Sequence, residues 1–161
     1  MTKPEGLYRF LNPNIFCLPD GKYIVHSTVN SRFVWDVDVN SSNLHLWERH
    51  GGANQQFIFK ANGAGFYTIQ CAQTWKFVDC AGSNKDNGAN VWTYDFNDTN
   101  AQIWRIRSEG NGSYSFQCIV DSSRNERRID LTNSCAQNGT NIWLYNSNGT
   151  NAQKWTVERV W

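Results

Sequence analysis

The sequence predicts an all-β protein of about twelve short strands, laid out as three copies of a four-strand unit and closed into a threefold barrel with a hairpin cap. Three observations carry this. A Gly-x-Tyr start recurs at Gly21, Gly65 and Gly112, and a Gln-x-aromatic triplet recurs at Gln55, Gln102 and Gln153. Between these anchors lie short alternating segments separated by turns such as Asn87-Gly88, Asn138-Gly139 and Asn148-Gly149, the turn chemistry of hairpins.

Each copy opens on a strand: G-K-Y-I-V-H-S from Gly21, G-F-Y-T-I-Q-C from Gly65 and G-S-Y-S-F-Q-C from Gly112. An apolar-Asp step follows, Trp35-Asp36, Val78-Asp79 and Ile129-Asp130, and then a polar turn. Leu44 to Trp47, Asn90 to Tyr94 and Asn141 to Tyr145 alternate with period two, the mark of half-buried strands. The closing strands read N-Q-Q-F-I-F-K from Asn54, A-Q-I-W-R-I-R from Ala101 and A-Q-K-W-T-V-E from Ala152. Gln55 and Gln102 lie 47 residues apart, and Gln102 and Gln153 lie 51 apart. That period is too long for a short solenoid, and no segment has a helical period.

A four-strand unit has one apolar face and exposed edges, and three units around an axis pool their aromatics and close those edges. Phe57, Trp104 and Trp155 are therefore predicted core residues, with Tyr23, Tyr67 and Tyr114 as companions. The repeats are expected at about 18–62, 63–110 and 111–161, forming one domain over 18–161. Residues 1–17 lie outside the repeat, and Tyr8, Phe10, Leu11 and Phe16 make them an ordered extension packed on the barrel.

A net charge of +1 with no Lys/Arg run leaves no electrostatic footprint for nucleic acid or anionic membrane. No apolar run of about 18 residues is present, and Lys3, Pro4 and Glu5 precede any apolar stretch, so the N-terminus lacks a signal peptide's apolar region. As encoded, the chain reads as soluble, cytoplasmic or exported by a route the sequence does not display. The five cysteines, Cys17, Cys71, Cys80, Cys118 and Cys135, leave at least one unpaired. They fit either free small hydrophobes or local bridges from Cys71 to Cys80 and Cys118 to Cys135. Asn40, Asn97, Asn111, Asn138 and Asn148 head glycosylation triplets, but Asn-rich turns generate these by chance.

Three Gln-x-aromatic triplets in register, each with an upstream Asp, resemble the ricin B-chain-like lectins and related carbohydrate-binding modules over roughly residues 18–161. The resemblance implies a β-trefoil with up to three shallow sugar pockets, each built from an Asp after the second strand, an aromatic on the third and an Asn-Gln pair opening the fourth. The first repeat supplies the whole set: Asp36, Trp47, Asn54 and Gln55. The second supplies Asp79, Tyr94 and Gln102, with Ala101 before the Gln and Asn100 one residue earlier. The third supplies Asp130, Tyr145 and Gln153, with Ala152 and Asn151 in the same arrangement. Because successive strand residues face opposite sides, Asn100 and Asn151 need not reach where Asn54 reaches. Two residues before each aromatic, on the same side, stand His45, Trp92 and Trp143, adding an imidazole to the first pocket and an aromatic wall to the others. The first repeat is four residues shorter between its Asp and its aromatic, so its rim should differ.

These residue types suit a pyranose, which is polar at its hydroxyl rim and apolar on its C–H patches. Trp47, Tyr94 and Tyr145 offer flat rings to the C–H face. A carboxylate accepts from two adjacent hydroxyls through charge-assisted bonds, and the Asn54 amide both donates and accepts. Gln55 is expected to orient Asp36 from behind. The resemblance favours galactose or N-acetylgalactosamine-type glycans as partners, with several sites or self-association raising weak single-site affinity.

An enzyme finds little support, since no H-E-x-x-H, paired C-x-x-C, G-x-S-x-G or phosphate loop is present. Each repeat has one suitable Asp where a glycosidase needs two facing carboxyls. His45 and His50 with Asp36 or Asp38 read as turn histidines rather than metal ligands, and no cofactor is implied. The competing reading is a protein-binding β-trefoil without sugar binding.

Overall fold

The computed structural model describes residues 18–63, 65–120 and 126–161. The predicted extension with Tyr8, Phe10, Leu11 and Phe16 lies outside the described residues, as does Cys17.

Repeat one contributes β1 (Gly21–Ser27), β2 (Phe33–Val37), β3 (Leu44–Glu48) and β4 (Phe57–Gly63). Repeat two contributes β5 (Phe66–Cys71), β6 (Phe77–Cys80), β7 (Val91–Tyr94) and β8 (Trp104–Gly110). Repeat three contributes β9 (Ser113–Cys118), β10 (Arg127–Leu131), β11 (Ile142–Asn146) and β12 (Trp155–Val160). The three Gly-x-Tyr segments become the opening strands, and the three alternating segments become β3, β7 and β11.

First and fourth strands close the barrel. Antiparallel pairing runs from β1 to β4, β4 to β5, β5 to β8, β8 to β9, β9 to β12 and back to β1, which removes every edge from the ring. The hairpins β2–β3, β6–β7 and β10–β11 stand over one end as the cap. The β4–β5 and β8–β9 ladders each shift register at the same place, between Ala61 and Gly63 and between Ser108 and Gly110. Such bulges bend the hairpins into the barrel's curvature.

Three tryptophans are buried inside. Trp35, Trp104 and Trp155 are fully buried with Phe57, Phe59 and Phe116. Trp35 makes edge contacts to Phe57 at 5.6 Å and Trp155 at 5.6 Å, and packs on Phe116 at 4.9 Å. Tyr23 and Tyr67 are buried as predicted, and Tyr114 is half-buried against the same cluster. Trp104 and Trp155 donate their indole N–H to the carbonyls of Val78 (3.0 Å) and Ile129 (3.2 Å), the residues just before Asp79 and Asp130. The aromatic of the Gln-x-Trp triplet thus satisfies a buried polar group and positions an aspartate in one step.

The cap is joined on the pseudo-threefold axis by a closed ring of side-chain amides. Asn43 donates to Asn141 (2.9 Å), Asn141 to Asn90 (2.9 Å) and Asn90 to Asn43 (2.8 Å). Each Asn immediately precedes or opens a third strand, so one residue per repeat ties the three hairpins to one another. Turn glycines extend the link: Gly139 N–H donates to Leu46 O and Gly88 N–H to Leu144 O, both at 2.8 Å.

Cys71, Cys80, Cys118 and Cys135 are free thiols, so the local bridges Cys71–Cys80 and Cys118–Cys135 do not form. Cys80 at the end of β6 and Cys118 at the end of β9 lie side by side, and the Cys118 contact together with burial pushes the Cys80 thiol above its ordinary range. No helix among the described residues is long and apolar enough to cross a membrane.

Candidate functional site

Each repeat carries an aspartate at the end of its second strand, 4–5% exposed, with both carboxylate oxygens engaged by protein donors. Gln102 Nε2 donates to Asp79 Oδ2 at 2.9 Å and Gln153 Nε2 to Asp130 Oδ2 at 2.9 Å, while Gln55 Nε2 donates to Asp36 Oδ2 at 2.8 Å. Each Gln also spans the third and fourth strands. Its amide donates to the carbonyl of Glu48, Asp95 or Asn146. Its oxygen accepts from the backbone of His50 and Gly51, of Asn97, or of Asn148. All three are buried and line none of the three carboxylate pockets. Gln102 and Gln153, expected among the ligand contacts, reach their aspartates by the same geometry as Gln55.

The second carboxylate oxygen is held by the residue two before the aromatic. Trp92 Nε1 donates to Asp79 Oδ1 at 2.9 Å and Trp143 Nε1 to Asp130 Oδ1 at 2.8 Å. His45 Nε2 lies 2.8 Å from Asp36 Oδ1, which requires the proton on that nitrogen. Sequence reasoning expected an imidazole in the first pocket and an aromatic wall in each of the others; all three rings line their pockets and also hold the aspartate. Their rings stack on the neighbouring aromatic: His45 on Trp47 at 5.5 Å, Trp92 on Tyr94 at 5.3 Å and Trp143 on Tyr145 at 5.6 Å. The outer rings stay available, with Trp47 and Tyr145 38% and Tyr94 47% exposed.

For Asp36 the expectation that both carboxylate oxygens accept from adjacent hydroxyls needs correction, because a carboxylate has about four acceptor positions and the protein uses three of them there. Asp79 and Asp130 retain one position on each oxygen. Asp36 Oδ2 accepts from Gln55 and also from Asn54 Nδ2 at 3.1 Å, leaving a position only on Oδ1. Asn54 gives its other amide hydrogen to Val37 O at 3.3 Å, so it can meet a ligand as an acceptor but not as the donor expected of it. Burial raises the Asp79 and Asp130 carboxyls above their ordinary value, against the opposing pull of the indole and amide donors.

Asn54 does not open a strand. It sits in a single 3₁₀ turn, Ala53–Gln55, matched by Asn100–Gln102 and Asn151–Gln153. The middle position faces the site, and there stand Asn54, Ala101 and Ala152, all lining their pockets. Asn100 and Asn151 head their turns with exposed side chains and line neither pocket. The structure brings Asp36, His45, Trp47 and Asn54 together, likewise Asp79, Trp92 and Tyr94, and Asp130, Trp143 and Tyr145; it leaves Asn100 and Asn151 outside.

The extra four residues of repeats two and three form the 3₁₀ turns Ala81–Ser83 and Thr132–Ser134, which place Gly82, Ser83, Asn133 and Ser134 on their pocket rims. Without that turn the first site is wider, about 360 Å³ against 240 and 230 Å³, and is lined by Asp38, Val39 and His50 instead. His50 Nε2 lies 3.6 Å from Asp36 Oδ2, and no His/Cys/Asp/Glu cluster suited to a metal occurs among the described residues. Asn97 and Asn148 also line their sites. Each folds an Asx turn, its Oδ1 accepting from the N–H and hydroxyl of Thr99 or Thr150. The matching strings N-D-T-N-A-Q and N-G-T-N-A-Q were the signal for them, read as chance glycosylation triplets instead.

Neighbouring repeats back the aromatics. The Asn138-Gly139 turn of repeat three lies against Trp47, with Asn138 Oδ1 accepting from Glu48 N–H at 2.7 Å, and Asn87-Gly88 of repeat two supports Trp143 in the same way, through Asn146 N–H at 2.8 Å.

The ricin-type β-trefoil lectin domain-like family matches residues 15–94 and 53–123. The main hemagglutinin component type C of Clostridium botulinum C phage is 23% identical over 99% of this chain, and the chain spans 54% of that relative's length. The designed threefold-symmetric protein ThreeFoil superposes with a TM-score of 0.81 at 25% identity, covering 88% of this chain and all of its own. The Macrolepiota procera ricin B-like lectin, solved in complex with lactose, superposes at 0.72 with 19% identity, covering 90% of this chain and all of its own. With the family pattern running through more than half its length and the trefoil built as that pattern requires, the chain belongs to the ricin-type β-trefoil lectin domain-like family.

Proposed function

We propose that this protein is a carbohydrate-binding lectin without catalytic activity, taking galactose or N-acetylgalactosamine-type glycans in three shallow sites, one per repeat. The observation that carries this reading is the aspartate held from two sides beside a half-exposed ring. A carboxylate whose free acceptor positions are fixed in direction discriminates between epimers, because a misdirected hydroxyl leaves a desolvated group unmet at a cost of about 1–3 kcal/mol. The adjacent ring covers the C–H face. Membership of a lectin family and the lactose complex of the Macrolepiota procera relative support a galactose-type ligand. Each site has one buried carboxyl, and Asp38 on the rim of the first is engaged by Asn40 and Ser41, which argues against the facing pair that glycoside hydrolysis needs.

Repeat one holds the full Asp36, Trp47, Asn54 and Gln55 set and the widest pocket, whereas repeats two and three have more open acceptor positions and a Trp-Tyr platform. Each shallow site is weak alone, and three on one rigid barrel act together on clustered glycans. A glycan array with the purified chain and its Asp36→Ala variant tests the proposal. Selective binding to galactose-terminated glycans, weakened in the variant at unchanged melting temperature, is the expected result. A blank array from folded protein would sink it in favour of a protein-binding trefoil.

A further inference from the structure

The pseudo-threefold axis also relates three places on the barrel wall, one at each junction between repeats, and their side chains differ sharply. Where repeat three meets repeat one, Glu158 on β12 accepts from Arg49 at 2.9 and 2.6 Å and lies 2.8 Å from His26 Nε2. Where repeat two meets repeat three, the same strand positions hold Arg107 and Gln117, with Arg128 beside them. Both arginines reach Gln117 Oε1, and Arg128 donates to Glu126 at 2.8 Å. Polar networks fill both places.

Where repeat one meets repeat two, the corresponding residues are Lys60, Gln70, Phe77 and Phe96, with Ile58 matching Arg105 and Ile103 matching Lys154. Neither Lys60 nor Asp98 has an ion-pair partner among the described residues. The result is a groove of about 420 Å³, larger than any of the three carboxylate sites. Its floor is Ile58, Phe77, Ile103 and Phe96. The two phenyl rings lie 5.2 Å apart, and Phe96 is 60% exposed.

We propose that this groove is a separate binding site for an uncharged apolar molecule of one or two rings. Its volume matches small-molecule pockets, which run from about 300 Å³ upward and are mostly apolar with a few polar groups for orientation. The floor carries no charge, and the rim holds one residue of each sign, Lys60 and Asp98, so neither sign of ligand charge is favoured. The groove also lacks what distinguishes the carboxylate sites, a buried Asp oriented by an amide and a ring N–H; its polar side chains, among them Asn62, Thr68 and Gln70, stand around an apolar floor instead. The 95–102 loop lies between groove and site: Tyr94, Asn97 and Ala101 face the second site, Phe96, Asp98 and Thr99 face the groove, and Gln102 lines the groove while its amide holds Asp79.

The test is a fluorescence titration with prodan, a neutral naphthalene probe. The intact protein should bind one equivalent saturably with a blue shift. Phe96→Ser, which imports the repeat-three residue at an exposed position, should weaken binding about tenfold by removing about 50 Å² of apolar contact. Asp130→Ala, in the third site and touching no residue of the groove, should leave it unchanged, and lactose should not displace the probe. Absence of saturable binding, or Phe96→Ser binding within twofold of the parent, overturns the proposal. So does full displacement by lactose, which would make the groove a fourth sugar site. A shift from dimer to monomer in Phe96→Ser by sedimentation also overturns it, identifying the groove as a self-association surface.

Discussion

Gln153→Ala is the sharpest test of how the sites are held. Gln153 is 2% exposed and bridges three elements: its amide donates to Asp130 Oδ2 at 2.9 Å and to Asn146 O at 2.8 Å, and its oxygen accepts from Asn148 N–H at 3.1 Å. The bond to the carboxylate is worth about 1.5–3 kcal/mol and each of the others about 1 kcal/mol. Asn146 and Asn148 are exposed and can recover water, whereas Asp130, 5% exposed, cannot do so readily. The net loss should be about 3 kcal/mol, equivalent to about 6–12 °C in Tm for a domain of this size. Urea denaturation should show a lower midpoint at unchanged slope. A double-mutant cycle with Asp130→Ala should give a coupling of about 1–2 kcal/mol. A loss below about 1 kcal/mol, or strict additivity with Asp130→Ala, would refute the view that the glutamine is a buried strut for the aspartate.

Asn43→Ala breaks two bonds of the axial amide ring and should cost about 1–2 kcal/mol by urea denaturation, with Asn43→Ala/Asn90→Ala costing less than the sum of the two single changes because they share a bond. Glu158 is held down to about 2 from an ordinary 4.5, chiefly by its bond with Arg49. A depressed carboxyl stabilises the fold above its unfolded value and loses that contribution as pH falls toward the folded one. The stability gap between the parent and Glu158→Gln should therefore be level from pH 7 to 5 and shrink between about 4.5 and 2; a constant gap across that window would contradict the assignment. Gly139 and Gly149 both have positive φ, +87° and +73°, so alanine at either should cost about 1 kcal/mol. Only at Gly139 would the new Cβ lie near Trp47, at 3.9 Å from its ring, so only Gly139→Ala should alter binding at the first site.

Much of this molecule was legible because its information is local and repeated. Period-two alternation and Asn-Gly turns encode strands and hairpins wherever they occur. The recurrence of Gly-x-Tyr, apolar-Asp and Gln-x-aromatic three times argues closure, and Phe57, Trp104 and Trp155 are in the core where that pattern puts them. The wrong detail was also local. Strand alternation was applied to Asn54, Asn100 and Asn151, and the chain turns through a 3₁₀ step there, so it is the middle residue of each turn that reaches the site. The separation of Asn54 from the other two was foreseen for a different physical reason.

The sequence by itself determined the strand count, the repeat and the identity of the aspartates and aromatics, because strand periodicity and turn propensity act over a few residues. Only the tertiary structure decided what those residues do to one another. Asn43, Asn90 and Asn141 close an amide ring across three repeats. Trp92 and Trp143 spend their N–H on the aspartates, Asn54 spends both amide hydrogens internally, and one of three equivalent junctions is left open. Hydrogen bonds and cavities depend on distances of a few ångströms between residues far apart in the chain, and barrel closure is what sets those distances.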